Sequence, residues 1–185
     1  LLDRKTDNRK IKKIIYIWML KNSKYKRSIW DTSTLSTRVI SWILNIDFIL
    51  NNSTFDFRNN FLSCIIRQTN HLKKNIKFEK NYVKKIEILT AIILTGIVFK
   101  EYKDNYELGI KELETLVKIF FNKDGFPLSR NPNDLLFFSK YLILCKEAIK
   151  DSQKYVPEFL EDIIENSLFC LNFIKTPDGQ LPLFN

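Results

Sequence analysis

The sequence predicts an all-α chain built from antiparallel helix pairs, an arc of an α/α toroid or an α-solenoid. Three observations carry that expectation. Apolar residues recur at helical spacing in one segment after another, with no strand-like alternation between them. The segments alternate in character, one apolar nearly all round and the next amphipathic, as buried helices and their covers do. A turn motif also recurs: Asp124-Gly125-Phe126-Pro127-Leu128-Ser129-Arg130-Asn131 is echoed by Asp178-Gly179-Gln180-Leu181-Pro182-Leu183-Phe184-Asn185, 54 residues further on. Four Gly and five Pro among 185 residues leave little material for loops. Apolar residues make up 45% of the chain, which excludes a disordered protein.

Residues 1–29 read as a basic N-terminal segment with one short amphipathic helix. Ile11, Ile14, Ile15 and Trp18 have helical spacing, flanked by Lys10, Lys12, Lys13 and Lys21. Such a helix suits a membrane surface or, the preferred reading, packing against a segment N-terminal to it. Residues 30–185 read as one helical domain, truncated at its C-terminal end. Six helices are expected there, at about 36–50, 55–76, 82–99, 105–121, 132–150 and 156–174. The second carries Phe57, Phe61, Ile65 and Leu72 on one face. The fourth carries Tyr106, Ile110, Leu113, Val117 and Phe120, with Asp104 as its cap and Glu107 in capping-box spacing. The sixth turns Phe159, Ile163, Leu171 and Ile174 inward. The first, third and fifth are the apolar ones, through Trp42-Ile43-Leu44, Ala91-Ile92-Ile93-Leu94 and Leu135-Leu136-Phe137-Phe138. They are expected inside, with their amphipathic partners outside.

The stretch 124–132 organises the second half. Asp124-Gly125 is a turn signal, because Gly takes positive φ without a Cβ clash. Asn131-Pro132 is a helix start: Asn is a favoured N-cap and Pro is tolerated at the first helical position. Asp134 then sits in the first turn, where its charge suits the helix dipole. In an up-down array the loops into the first, third and fifth helices share one rim, and they hold 30–38, 80–82 and 129–131, with 180–185 beyond. Free N–H groups at those helix starts suit a carboxylate or sulfate.

The formal net charge of +9 fits a solvated basic surface or a site for a polyanion, nucleic acid or acidic polysaccharide. Cys64, Cys145 and Cys170 are far apart in apolar patterns and read as small buried residues. One His and no close carboxylate cluster give no metal site, and no cofactor is expected. The longest apolar run, 86–99, is shorter than the ~20 residues of a membrane span and contains Glu87, so no span is expected. The chain lacks an initiating Met and stops within the second turn motif, which reads as a piece of a longer protein, with its compartment (bacterial periplasm or cytoplasm) open.

A family resemblance rests on particular residues. Thr37-Arg38-Val39-Ile40-Ser41-Trp42, Phe57-Arg58-Asn59-Asn60-Phe61-Leu62, Arg67-Gln68, His71-Leu72 and 89–96 resemble, in order and spacing, the helical part of the heparinase II/III-like family. Asp124-Gly125 with Ser129-Arg130-Asn131-Pro132, and Asp178-Gly179 with Leu183-Phe184-Asn185, complete the likeness over residues 30–185. The resemblance implies a partial α/α toroid, an incomplete α/α barrel. It also implies a parent polysaccharide lyase that cleaves uronic-acid polysaccharides by β-elimination, with a C-terminal β-sandwich domain as partner. An acidic polysaccharide is the implied substrate, ahead of nucleic acid. Asn131 is then a carboxylate neutraliser beside Arg130, as well as an N-cap. Tyr82 is the candidate base, and Ser129, Arg130, Arg38, Trp30 and Trp42 are candidate substrate contacts. The Trp residues also fit a core role, and Arg38, opening the first helix, also fits an ion pair. Two places depart from the family pattern: Phe126-Pro127 stand where related sequences carry Gly-His, and Asp134-Leu135 stand where characterised lyases carry Tyr-His. The alternative is a non-catalytic helical-repeat module that binds a polyanion.

Overall fold

The computed structural model describes residues 4–176 and Gly179, with side chains from Asn8 onward. The closing motif lies outside the described residues apart from Gly179, whose φ is +79°. The described chain is all-α. It has eight α-helices and, in place of strands, one isolated antiparallel bridge between Phe121 and Pro127. It divides into two compact units, Leu1–Lys77 and Phe78–Asn185. The basic segment 1–29 therefore belongs to a larger first unit.

That unit holds α1 (Arg4–Lys21), α2 (Thr32–Leu44), α3 (Ile46–Leu50) and α4 (Phe55–Asn75). The sequence predicts one helix over 36–50. The structure starts it earlier and breaks it. Asp31 is the cap, its carboxylate accepting from the Thr34 amide at 3.3 Å. Ser36 sits a turn inside, its hydroxyl bonded back to the Thr32 carbonyl at 2.7 Å. At Asn45 (φ −111°, ψ 17°) the backbone leaves the helix, and the side-chain amide donates to the Ser41 carbonyl at 2.8 Å. Asn competes with the helix for its own backbone, and that competition ends α2. In α4 Thr54 accepts from the Phe57 amide at 3.3 Å. The helix buries Phe61, Cys64, Ile65, Gln68, Thr69 and Leu72, one continuous stripe. α1 lies on α3 and α4, with Ile15 and Met19 buried; Asn8 donates to the Phe48 carbonyl and Lys12 to that of Asn51.

The second unit holds α5 (Tyr82–Val98), α6 (Lys103–Phe120), α7 (Pro132–Asp151) and α8 (Glu158–Ile174). α5 is its axis. Asn81 caps it by accepting from the Val83 and Lys84 amides at 2.9 and 3.2 Å. Every residue from Ile86 to Gly96 is buried. α6 and α7 both pack on α5, and α8 packs on α7 and α6. The expected Asp104 cap is a miss: a 3-10 turn, Lys100–Tyr102, leads directly into the helix, and Asp104 falls inside its first turn. The carboxylate there still suits the positive end of the helix dipole.

Among the described helices, only α5 has a long run, Ile86 to Gly96, that is buried on every side. α2 leaves Leu44 54% exposed and α7 leaves Leu136 47% exposed, so both are amphipathic rather than inner helices. Their apolar runs are too short to wrap the helix. The remaining turns carry Ser33, Thr34, Thr37 and Ser41 in α2, and Lys140, Lys146 and Lys150 in α7.

α5 and α6 approach closely because two glycines allow it. A Cβ on Gly96 would run into the Tyr106 backbone, 2.8 Å from its Cα, and one on Gly109 would meet Ile93 Cγ1 at 2.5 Å. Gly96→Ala gains about 1 kcal/mol of helix propensity, but it strikes backbone that cannot move aside cheaply. The net expectation is a loss of roughly 1–3 kcal/mol. Urea denaturation should show a lower midpoint with an unchanged slope. A neutral or stabilising Gly96→Ala would contradict the close approach.

Candidate functional site

The stretch between α6 and α7 is built as a clasp. Phe121 pairs with Pro127, and the Leu128 amide donates to the Phe120 carbonyl at 2.8 Å. Inside the turn, Asn122 Oδ1 accepts from the Asp124 and Phe126 amides at 3.1 and 2.8 Å. Gly125 has φ +80°, and a Cβ there would press on Asn166 and lie 3.0 Å from the Ser167 amide nitrogen. Only Gly fits this approach to α8. The Ser167 hydroxyl donates to the Gly125 carbonyl at 3.3 Å, and the Cys170 thiol to that of Asp124 at 3.2 Å.

The turn delivers Ser129, Arg130 and Asn131 to an exposed edge at the start of α7. Arg130 has φ +54°, a left-handed conformation unusual for a side-chain-bearing residue. Its amide bonds to the Pro127 carbonyl at 2.9 Å. The Ser129 hydroxyl donates to Asp134 Oδ2 at 2.7 Å and accepts from the Asn131 amide at 3.4 Å. Asn131 Oδ1 accepts from the Asn133 amide at 3.0 Å, the expected cap. The cap uses the carbonyl oxygen of that side chain, so its NH2 remains a donor at the edge. Pro132 occupies the first turn. Tyr82, the first residue of α5, belongs to the same end of this unit. It is 42% exposed, and its ring edge meets Phe120 at 5.7 Å; Phe120 in turn stacks on Phe138 of α7 at 3.9 Å.

The other three candidates belong to the first unit and are held in packing. Arg38 lies in the second turn of α2 rather than opening it. Its guanidinium donates to Gln68 Oε1 at 2.7 Å and the Ile29 carbonyl at 3.1 Å, and lies 4.2 Å from the Trp18 ring centroid. Burial pulls its pKa below the usual arginine value. Both terminal nitrogens of the guanidinium are thus engaged, tying α2 to α4 and to the segment before α2, with its face against Trp18 of α1. Trp42 is half-buried, with Trp18 at 5.3 Å and Phe61 at 5.1 Å. Trp30 is 7% exposed, ringed by Tyr25, His71 and Arg67, and offers no face for a sugar ring. Its Nε1–H is buried with no acceptor. Residue type alone does not separate a stacking Trp from a core Trp; burial does.

One polar cluster has no clear signal in the sequence. Glu87 lies buried in the middle of α5 and accepts from the Tyr141 hydroxyl of α7 at 3.0 Å. One turn on, the Cys145 thiol points at Thr90 Oγ1 at 3.5 Å, and Thr90 bonds to the Ile86 carbonyl at 2.8 Å. Burial pushes the Cys145 thiol up to about 12, which makes it a poor nucleophile. Burial first, and then the Glu87 charge and hydrogen bond, raise the Tyr141 phenol well above its usual range. These groups tie α5 to α7. The only hint in the sequence is Glu87 inside an apolar run, with Tyr141 54 residues away. Among the described residues, no group of His, Cys, Asp and Glu could hold a metal ion, and no helix is long and apolar enough to cross a membrane.

No family model, curated protein or solved structure matches this chain.

Tyr141→Phe leaves a buried carboxylate short of a donor and should cost about 1–3 kcal/mol at neutral pH. The pH dependence has a definite sign. The folded phenol titrates above the unfolded one, so its stabilising contribution is complete below the unfolded value of ~10 and is lost as pH rises beyond it. Denaturation curves of the two proteins should therefore converge above that pH. Parallel curves across the alkaline range would remove the phenol from the account.

Proposed function

We propose that this chain is the toroid-forming helical part of a polysaccharide lyase of the heparinase II/III-like kind, acting on uronic-acid polysaccharide by β-elimination. One observation carries the reading. At the start of α7 the consecutive residues Arg130 and Asn131 are both exposed, and the loop that carries them is held by the Asn131 Oδ1 cap and the Ser129–Asp134 bond, which leave a guanidinium and a side-chain NH2 as donors at that edge. A planar guanidinium beside an amide donor suits a uronate carboxylate. Neutralising that carboxylate makes the C5 proton of the uronate more acidic. A base then takes the C5 proton, the electron pair forms the C4–C5 double bond, the C4–O bond breaks, and the leaving oxygen takes up a proton. Tyr82 is the base this reading assigns, since its ring belongs to the same end of the unit and is partly exposed. Asp134 stands where the family resemblance puts a Tyr, and its carboxylate is engaged by Ser129. It therefore positions the loop. A β-sandwich partner domain is the implied source of further catalytic groups.

A second reading is a non-catalytic module that holds an acidic glycan at the same edge. The Ser129–Asp134 bond favours it, because it places a structural carboxylate where a lyase needs a proton carrier.

Asn131→Asp separates capping from binding, since Asp keeps the cap but replaces the NH2 with a repelling oxygen. Calorimetry with polygalacturonate, alginate and chondroitin sulfate should show binding of at least one by the wild type, weakened at least about tenfold in Asn131→Asp with the melting temperature kept. Dextran sulfate, an anion without uronates, should bind less tightly. Equal binding of all four polymers, or an unaffected Asn131→Asp, would defeat the carboxylate edge. Absorbance of an unsaturated uronate, appearing in the presence of the β-sandwich domain and abolished by Tyr82→Phe, would separate lyase from binding module.

A further inference from the structure

α1 buries one face and exposes another of distinct chemistry. Ile15 and Met19 point into the first unit, while Ile14, Ile17 and Leu20 are 66%, 38% and 61% exposed. Lys10, Lys13 and Lys21 are exposed and fall on the same side at helical spacing, so three aliphatic side chains lie among three ammonium groups. The charge is local and one-signed. Residues 8–27 hold eight Lys or Arg and no Asp or Glu, in a chain with 21 acidic residues overall. Tyr25, 63% exposed, follows the helix with an amphipathic ring. A cavity of 340 Å³ adjoins this face; Tyr16 and Leu20 form one wall, and Ser23, Asn60, Ser63 and Arg67 bring hydroxyl, amide and guanidinium donors to it.

We infer that this face of α1 rests on an anionic phospholipid surface. Aliphatic side chains sink between the headgroups while lysines meet the phosphates, the arrangement of an interfacial helix lying in the membrane plane. Each Lys near such a surface adds attraction that salt screens. The cavity beside Leu20 takes a headgroup phosphate, with Arg67 as its cation. Nucleic acid fits this face less well, because phosphates give Ile14, Ile17 and Leu20 nothing apolar to enter. The inference is independent of the lyase reading: it concerns the first unit, and the carboxylate edge lies in the second.

Sedimentation with vesicles tests it. The chain should bind phosphatidylcholine vesicles containing phosphatidylglycerol, bind pure phosphatidylcholine weakly, and release as salt rises. Two surface variants should each weaken binding at least about tenfold without changing the circular dichroism: Lys10→Glu/Lys13→Glu/Lys21→Glu through charge, and Ile14→Ser/Leu20→Ser through lost apolar contact. Lys111→Glu/Lys123→Glu/Lys150→Glu changes the net charge equally in the second unit and should leave binding near wild type. Absence of wild-type binding, equal loss in the control variant, or loss with the lysine variant alone would each overturn the inference, the last pointing to a polyanion instead of a bilayer.

Discussion

The second unit depends on one constraint: α5 is taken out of water on every side. Eleven consecutive residues, Ile86 to Gly96, are buried, and α6 and α7 both converge on this one cylinder. Gly96 and Gly109 make the closest of these approaches sterically open. The same burial dictates polar chemistry. Glu87, Thr90 and Thr95 have no solvent to turn to, so each needs a partner within the fold. Tyr141 answers Glu87, and helix carbonyls answer the two threonines. What looks like a simple apolar helix is also the source of the cross-helix bonds to α7.

Much of this architecture was legible from residue patterns. Helices over 55–76 and 82–99 follow from periodicity, and Asn131-Pro132 marked a helix start through well-understood cap chemistry. The errors have identifiable causes. Asn45 ends α2 through its own side chain, a local event inside an unbroken apolar pattern. Asp104 had capping-box spacing, but a preceding 3-10 turn moved the helix start by two residues. The inner-and-outer alternation fails because three or four consecutive apolar residues say nothing about the far side of a helix. Leu44 and Leu136 lie on that far side.

The candidate site was legible as a motif and illegible as a set of contacts. The turn at 124–132 announced itself through Gly, Pro and Asn. That Arg38 is consumed by Gln68 and Ile29 depends on α2 and α4 meeting, which no local pattern encodes. Trp30 and Trp42 differ in the same way: composition makes both candidates for sugar stacking, and only tertiary packing assigns them to the interior or half-interior of the first unit. The residues that stay available, Arg130, Asn131 and Tyr82, sit at helix starts, where the chain leaves regular structure and side chains are freed from core packing.

The anchoring of Gly125 on α8 reaches beyond the turn itself. The loop carrying Arg130 is seated by Asn166, Ser167 and Cys170, residues that come some forty positions later in the chain. The edge therefore gains its full seating only once α8 has been made and docked. During synthesis α7 can start at Asn131 while its loop still lacks a seat. Any attempt to carve out a minimal glycan-binding piece has to keep α8, though no residue of α8 is among the candidates for contact with the glycan.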